Sequence, residues 1–282
     1  MQELHRFLEK KFQLADWSLT RPRQGHRKEC YIAWAGNLNL FIKFKVTALE
    51  PLRRLGEIGV APEVVAAGHL AGKPFVIQEY LEAENPTPAW FNDHLDYLAV
   101  FIRRYQDDEI LARLVEPTTY TGHAGLVARD IAELERRFSR LQAAGKLDQA
   151  GIGAAFEKFK STGAMLPPAK LVPVHAEPNT TNMLLPGERL VMVDWDEIRL
   201  GDPMQDVGLI LWWYVRPEKW AEFFDSYGLK MDRNLQEPIF WWTARASLAI
   251  ALWQFEHGVN GQAFLEDFQA AVKQEPNPHA AF

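Results

Sequence analysis

The sequence has little cysteine, no excess of positive charge and no long apolar run. Cys30 is the single cysteine among 282 residues, which excludes a disulfide within the chain and a metal site built on several cysteines. The formal net charge of -6 does not indicate a nucleic-acid-binding surface, where a basic stripe is expected. No window approaches the roughly 20 apolar residues of a membrane-spanning helix, and the charged N-terminus is not a secretory signal. These absences predict a cytoplasmic protein with neither a nucleic-acid nor a membrane partner.

What is present indicates an ordinary globular protein, because 48% of its residues are hydrophobic and 24% are charged. A helical pattern over residues 2–12 is followed by short β-rich runs separated by turn residues. The predicted order is three strands (17–21, 29–34, 38–45), a helix (47–58) and two strands (62–70, 74–80). A polar, proline-containing stretch follows Tyr80, and beyond it the pattern is nearly all helical. We therefore predict an α+β protein with a small mixed β-sheet lobe (1–82), a hinge near 79–87 and a larger helical lobe (83–282).

The stretch 171–206 interrupts the helical part with apolar runs that end in polar residues. His175 and Glu177 follow the first run, Asn182 precedes the second, and Asp194 and Asp196 follow the third. Buried polar groups are costly unless something pairs with them, so this pattern favours a site. A surface hairpin with polar ends is the alternative. A metal-hydrolase site on His175, Glu177 and Asp194 is another, although no second close histidine supports it.

The spacing of these residues resembles the aminoglycoside phosphotransferase and choline kinase superfamily. The pattern is His-x-acid-x4-Asn, then apolar-Asp-Trp, then Gly-Asp-Pro with a following Asp. Its positions here are His175, Glu177, Asn182, Asp194, Trp195, Gly201, Asp202, Pro203 and Asp206. The order of elements agrees from about residue 15 to residue 257, although the N-terminal part matches more in arrangement than in letters. The resemblance implies a protein-kinase-like bilobal fold and a kinase that uses ATP and Mg²⁺.

The resemblance also implies a role for each motif residue. Asp194 would be the main carboxylate ligand of Mg²⁺, and Asn182 would supply a second contact, since Mg²⁺ prefers oxygen ligands. Glu177 takes the place of the catalytic base, and His175 would organise the loop. Glu177 is a departure, because the family has Asp at this position and Glu is longer by one methylene group.

In the small lobe, the resemblance calls for a lysine on the third strand. Lys43 lies within the apolar run Leu40–Phe44 and is the candidate, with Lys45 as its exposed neighbour. The lysine would hold the α- and β-phosphates and would pair with a helix carboxylate. Glu50 is the candidate partner and Glu57 the reserve, but an exposed first-turn acid is an equally good interpretation of Glu50.

Other nucleotide contacts are implied at two backbone segments. The phosphate-covering turn would be residues 24–28, with Gly25 as its one glycine. The backbone N–H groups from Glu79 to Leu81 would meet the adenine edge. Both assignments depend on the resemblance, because neither segment carries a specific motif of its own.

Asp202 and Asp206 are interpreted as structural support, bracing the loop and capping the next helix. Contacts to the acceptor are assigned to Asp196, Trp212 and Trp242, because aromatic faces near acids can hold an ammonium group. Tryptophans on apolar helices are more often core, and Asp196 is more often solvated.

The predicted function is transfer of the γ-phosphate to a hydroxyl of a small molecule that resembles an aminoglycoside, choline or an amino sugar. The alternative is a nucleotide-binding pseudokinase without transfer activity, because Glu177 replaces the catalytic Asp. Transfer onto a protein is disfavoured, since only a few residues separate Asp194 from Gly201-Asp202-Pro203.

Overall fold

The computed structural model describes residues 2–22, 29–115, 119–147 and 150–280. The chain forms two compact units. The first unit comprises Met1–Asn85, Glu109–Val115 and Thr180–Ile198, and the second comprises Pro86–Asp108, Glu116–Asn179 and Arg199–Phe282.

The first unit is built on a five-stranded antiparallel sheet in the order β1-β2-β3-β5-β4. Its strands are β1 (Ser18–Thr20), β2 (Cys30–Ala35), β3 (Leu38–Phe44), β4 (Val64–Leu70) and β5 (Lys73–Glu79). Helix α1 (Gln2–Phe12) precedes the sheet, and helix α2 (Leu49–Glu57) connects β3 to β4. Gly36 makes the tight β2–β3 turn possible, because its φ of 58° lies in the left-handed region. Three strands, a helix and two strands is the predicted order.

Apolar residues of α1 and of the sheet form the core of this unit. Leu8 of α1, Ile42 of β3 and Ile77 of β5 are completely buried in one cluster. They explain the sheet's register, because a slip of one residue would turn the apolar side chains to the other face. Lys43, next to Ile42, lies opposite Val76 of β5 and so belongs to the centre of the sheet.

Two later segments of the chain complete the first unit. Helix α5 (Glu109–Leu114) is one, following α3 (Pro88–Asp93) and α4 (Leu95–Gln106) in the chain. The other contains the short hairpin of β7 (Met183–Leu184) and β8 (Val191–Met192). It is tied to the N-terminal part by backbone hydrogen bonds from Met192 N–H to Val60 O and from Leu185 N–H to Glu84 O, both 2.8 Å long. These bonds place residues 180–198 with the sheet, whereas we expected them in a lobe that begins at residue 83.

The second unit is mainly helical. Its helices are α3, α4, α6 (Gly122–Ala143), α7 (Ile152–Met165), α8 (Met204–Tyr214), α9 (Trp220–Tyr227), α10 (Arg233–Glu256) and α11 (Gln262–Lys273). Helices α3 and α4 are separate, because the backbone leaves the helical region at His94. Helix α11 was not predicted. No helix of the described residues is long and apolar enough to cross a membrane.

One small sheet in this unit positions the motif residues. Strands β6 (Val172–Val174) and β9 (Arg199–Gly201) pair antiparallel, with Val174 opposite Arg199. The polar loop that begins at His175 therefore starts where this sheet ends. Gly201 is required here, because a Cβ at this position would lie 2.6 Å from the Val174 side chain. Strand β9 was not anticipated from the sequence, whereas the α+β class is confirmed.

Candidate active site residues in each unit

In the first unit, Lys43 lies beside two carboxylates from the distant 180–198 segment. Its Nζ donates to Asp194 Oδ1 at 2.9 Å and to Asp196 Oδ1 at 2.5 Å. Lys43 is only 9% exposed, so its ammonium group needs such partners to be buried. The two carboxylates are about one-third exposed. One buried cation thus faces two partly exposed carboxylates.

Local backbone geometry sets the direction of Asp194. Strand β8 ends at Met192, and the chain turns at Asp194, whose φ is 63°. This left-handed conformation is uncommon for residues with a side chain, although Asp tolerates it better than most. Val193 N–H donates to Asn182 O at 2.9 Å, so the residue before Asp194 is fixed to Asn182 by the backbone. The structure thus links the segments that carry Asn182 and Asp194.

These side chains suit a magnesium ion in chemical type. Asp194 and Asp196 offer carboxylate oxygens, Asn182 offers an amide oxygen, and Mg²⁺ commonly takes one or two carboxylates together with phosphate oxygens and water. Among the described residues no group of three or more His, Cys, Asp or Glu side chains forms a possible metal site. That result gives no support to the metal-hydrolase alternative. It leaves room for a metal shared with a phosphate group.

The expected pair between Lys43 and Glu50 is not formed. Glu50 lies in the first turn of α2, where its side chain is 64% exposed and stands 3.6 Å from Arg53. The reserve candidate, Glu57, pairs with Arg54 at 3.1 Å. The two carboxylates of the 180–198 segment take the place of the helix acid at Lys43. Glu50 therefore fits the alternative interpretation, an exposed first-turn acid.

The two backbone segments expected to contact the nucleotide are the hinge (79–81) and the phosphate-covering turn (24–28). The backbone N–H of Glu79 donates to Glu63 O at 3.1 Å, and that of Tyr80 donates to Asn39 O at 3.0 Å. Both N–H groups already donate to carbonyl groups of the first unit. The expected contact of the Glu79 N–H with adenine is therefore not supported. Leu81 remains as the candidate for that contact. Gly25 and the turn 24–28 lie outside the described residues.

In the second unit, a buried carboxylate holds the loop that carries His175 and Glu177. Asp206 of α8 accepts hydrogen bonds from the backbone N–H groups of His175 at 2.7 Å and Ala176 at 2.9 Å. Tyr105 Oη donates to the same carboxylate at 2.9 Å. Ala176 has a φ of 75°, a conformation that costs roughly 1–2 kcal/mol for a residue with a Cβ. The two N–H bonds offset that cost and keep the loop turned.

The imidazole of His175 acts inside the loop. His175 is completely buried, and its Nδ1 accepts a hydrogen bond from Glu177 N–H at 3.2 Å. The carbonyl of Glu177 accepts from Asn179 N–H at 2.8 Å. Both backbone groups of Glu177 are therefore fixed, so any adjustment for its longer side chain falls on the side chain itself.

Burial dominates the electrostatics around Asp206. It raises the pKa of the carboxyl group, while the nearby His175 and the hydrogen bonds from the loop and from Tyr105 act in the opposite direction. Burial, and after it the charge of Asp206, raises the pKa of Tyr105 well above its usual range. Tyr105 therefore keeps its proton and acts as a hydrogen-bond donor. Asp206 is completely buried, so its carboxylate can accept hydrogen bonds only from the protein.

Asp202 is a second buried carboxylate that accepts hydrogen bonds inside the second unit, at the start of α8. Its Oδ1 accepts from Met204 N–H at 2.8 Å at the start of α8, and its Oδ2 lies 2.6 Å from His123 Nε2. His123 and Tyr105 were not identified from the sequence. Each lies on a helix far along the chain from its partner, and no spacing rule connects them.

The tryptophans proposed as acceptor contacts are core residues. Trp212 is 1% exposed and Trp242 is 0% exposed, so neither ring presents a face to a ligand. Trp212 Nε1 donates to Glu275 O at 3.2 Å. The acceptor assignment of these two residues is therefore corrected in favour of the core alternative. The acceptor assignment of Asp196 is corrected as well, because its carboxylate contacts Lys43 beside Asp194.

Known proteins give the family of the chain. The model of the phosphotransferase enzyme family (APH) matches residues 43–235, more than half of the sequence. The chain belongs to this family of small-molecule phosphotransferases. The matched range contains Lys43, Asn182 and Asp194 of the first unit and His175, Glu177 and Asp206 of the second.

Solved structures agree in fold across nearly the whole chain. A ternary complex of a thermostable mutant of aminoglycoside phosphotransferase APH(4)-Ia with ADP and hygromycin B has a TM-score of 0.71 at 15% identity, covering 99% of this chain and 100% of that one. Choline kinase from Cryptosporidium parvum has a TM-score of 0.70 at 12% identity, covering 97% and 94%. A choline/ethanolamine kinase family protein from Mesorhizobium loti has a TM-score of 0.66 at 19% identity, covering 91% and 87%. At these identities the likeness shows the kinase-like fold.

Proposed function

We propose that the protein transfers the γ-phosphate of ATP, with Mg²⁺, to a hydroxyl group of a small molecule. The observation that carries the proposal is the contact of Lys43 Nζ with Asp194 and Asp196. Phosphoryl transfer depends mainly on positioning and on neutralising the phosphate charge, for which a lysine next to metal-binding carboxylates is the recurring arrangement. The family and the ADP complex of a structural neighbour support it.

In this mechanism the first unit provides the phosphate and metal ligands. Lys43 would hold the α- and β-phosphates, and Asp194 with Asn182 would hold the magnesium ion. When bound, the metal supplies the positive charge that offsets the developing charge on the phosphate oxygens. Two carboxylates and one lysine carry a net charge of about -1 before ligands bind, so a divalent cation reverses the local sign.

The second unit provides the group that handles the acceptor. Glu177 orients the attacking hydroxyl and accepts its proton. Asp206 fixes the backbone of the two residues before it, and His175 Nδ1 accepts from the backbone N–H of Glu177. A general base contributes roughly 10²–10⁴-fold to a rate. A misplacement of about 1 Å can cost about 10²-fold, so the longer Glu side chain lowers the rate without abolishing it.

The acceptor is a small alcohol, and the structural neighbours supply the first candidates. Their names include hygromycin B and choline, which points to aminoglycoside-, choline- or amino-sugar-like molecules. The enzyme would act in the cytoplasm, where ATP is available. The buried state of Trp212 and Trp242 removes the aromatic argument for a cationic acceptor.

A second candidate function is nucleotide binding without transfer. Glu177, in place of the family's Asp, is the observation that favours it. The Lys43 contacts with Asp194 and Asp196 are compatible with it, because they concern the nucleotide and metal but not the acceptor.

The test is ADP release by the purified protein with ATP and Mg²⁺ across a panel of amino sugars, aminoglycosides, choline, neutral polyols and acidic alcohols. Wild-type protein should release ADP with at least one acceptor, and Asp194→Ala should lose that activity by a factor of 10² or more. The matched control is Asp225→Ala on α9, because this exposed carboxylate is not one of the candidate site residues of either unit. Mg²⁺-dependent binding of ADP without turnover on any acceptor would favour the second candidate. Absence of both would refute the proposed function.

A further inference from the structure

Three arginines of the second unit gather around one buried carboxylate, and the proposed mechanism uses none of them. Arg129 and Asp130 lie on α6, Arg245 lies on α10 and Arg199 lies on β9. Asp130 is completely buried. We call Arg129, Arg199 and Arg245 the arginine cluster.

Two members of the cluster are paired with Asp130. Arg129 Nη2 lies 2.5 Å from Asp130 Oδ1, and Arg245 Nε lies 2.8 Å from Asp130 Oδ2. Each carboxylate oxygen thus receives one guanidinium group. The Arg245 bond ties α6 to α10, whereas the Arg129 bond lies within α6. The Arg129 side chain is 32% exposed and that of Arg245 is 17% exposed, so the cluster reaches the surface of the unit.

Arg199 is the member that this tie does not use. Its Nε is buried and has no hydrogen-bond partner among the described residues. Burial, followed by the positive charge of Arg245, lowers the pKa of the Arg199 guanidinium group, with Arg129 acting in the same direction. Arginine nevertheless stays protonated in proteins. Three guanidinium groups against one carboxylate leave an excess of about two positive charges, in a protein whose net charge is -6.

The cluster lies next to the start of the candidate catalytic loop. Arg199 is paired across β6–β9 with Val174, the residue before His175. Tyr120 connects the parts, because its hydroxyl donates to Leu200 O while the Arg129 guanidinium carbon stands 4.4 Å from its ring centre. The positive charge is therefore built into the framework that carries His175 and Glu177.

A purely structural explanation accounts for two of the arginines but not for the third. Tying α6 to α10 requires only Asp130 and Arg245, and Arg129 completes the pairing of the buried carboxylate from within α6. An additional partly buried guanidinium group with an unpaired N–H is costly, both by desolvation and by repulsion from its neighbours. An anionic ligand would relieve both costs, because guanidinium groups bind carboxylate and phosphate oxygens through charge-assisted hydrogen bonds.

We propose that the arginine cluster binds an oxyanion of the acceptor, so that the acceptor is an alcohol that carries a carboxylate or phosphate group. This inference rests on the proposed phosphotransferase function and specifies the substrate class of that same site. It predicts that acidic alcohols are better acceptors than the cationic ones suggested by the structural neighbours, since the excess positive charge repels an ammonium group.

The binding test does not require catalysis. Inorganic phosphate and glycerate are titrated separately into wild-type protein with saturating ADP and Mg²⁺, and the midpoint of thermal unfolding is followed. Each probe should raise the midpoint, and Arg199→Gln should require a roughly ten- to hundredfold higher concentration for the same rise. Lys43→Met, titrated without nucleotide, should keep the wild-type response to the probes, which separates the arginine cluster from the phosphate site at Lys43. The matched control, Arg104→Gln on the exposed face of α4, should behave as wild type.

Arg129→Gln provides a second variant if Arg199→Gln does not fold. It should need a similarly higher probe concentration for the same rise in midpoint, since Arg129 is the more exposed of the two arginines paired with Asp130. Equal responses of wild type and of the folded cluster variants would overturn the proposal.

The kinetic test separates this inference from the proposed function. With hydroxy acids and sugar phosphates as acceptors, Arg199→Gln should raise KM roughly ten- to hundredfold and change kcat little. If KM rises more for the hydroxy acids, the oxyanion is a carboxylate; if it rises more for the sugar phosphates, the oxyanion is a phosphate group. Turnover of cationic or neutral alcohols only, with KM unaffected by Arg199→Gln, would leave the phosphotransferase intact and refute the anion site.

Discussion

Replacement of Asp206 by Asn tests how the candidate catalytic loop is held. The carboxylate accepts from His175 N–H, Ala176 N–H and Tyr105 Oη, at 2.7, 2.9 and 2.9 Å. An Asn side chain has one oxygen, so its NH₂ group must face one of these donors. At least one buried donor then loses its partner, and the remaining bonds lose the charge that strengthens them.

The magnitude follows from two opposing effects. A hydrogen bond to a charged group contributes roughly 1.5–3 kcal/mol, and a buried donor without a partner costs roughly 1–3 kcal/mol. Against this, Asn avoids the desolvation of a buried carboxylate, the effect that raises the pKa of Asp206. We therefore expect Asp206→Asn to lower the free energy of unfolding by about 2–4 kcal/mol. Tyr105→Phe, which removes one donor only, should cost about 1–2 kcal/mol.

The assay is equilibrium unfolding in urea, with Asp225→Asn as the control. That exposed carboxylate should change the free energy by less than about 0.5 kcal/mol. The folded state raises the pKa of Asp206 above its ordinary value of 3.8, so it binds the proton more tightly than the unfolded chain. The difference between wild type and Asp206→Asn should therefore be largest at low pH and shrink as the pH rises through the folded-state pKa. A loss below about 1 kcal/mol would refute the bracing role.

Three further changes test other parts of the structure. Gly201→Ala places a Cβ 2.6 Å from a side chain of β6 and should lower the free energy of unfolding by about 1–3 kcal/mol, whereas Gly153→Ala, with nothing within 4 Å, should not. Glu177→Asp should raise kcat for ADP release by up to about 10²-fold; a fall would mean that the site is adapted to Glu. A hydrogen bond to Asp267 raises the pKa of His279 above its ordinary 6.5, so its contribution is fully present below that pH and is lost as the pH rises through the folded-state value. Since the His279 side chain is 43% exposed, this loss should reach only a few tenths of a kcal/mol in urea unfolding, and His279→Gln should remove it.

Local patterns predicted the first sheet well. The alternation over β2 and β3 and the Gly36-Asn37 turn between them are visible within a few residues of sequence, and they place Lys43 on a central strand. Helix α11 had a usable signal as well, because Leu265, Phe268 and Ala271 recur at three-residue intervals and are buried. The signal was present there and was missed.

Long-range partners could not be predicted in the same way. Lys43 pairs with acids 151 and 153 residues further along the chain, whereas the sequence favoured a nearby helix acid. His123 and Tyr105 find their partners 79 and 101 residues away. Such contacts depend on how helices pack, and no local spacing records that packing. Burial is equally non-local, which is why Trp212 and Trp242 were not separated from surface tryptophans.

The central claim concerns Asp194 as part of a phosphotransferase site, and phosphorus NMR of a complete reaction tests it most directly. With ATP, Mg²⁺ and an acceptor that supports ADP release, wild-type protein should form a phosphate ester of the acceptor in equal amount to ADP, and Asp194→Ala should form it at least about 10²-fold more slowly. ADP accompanied only by inorganic phosphate, or undiminished ester formation by Asp194→Ala, would contradict the account.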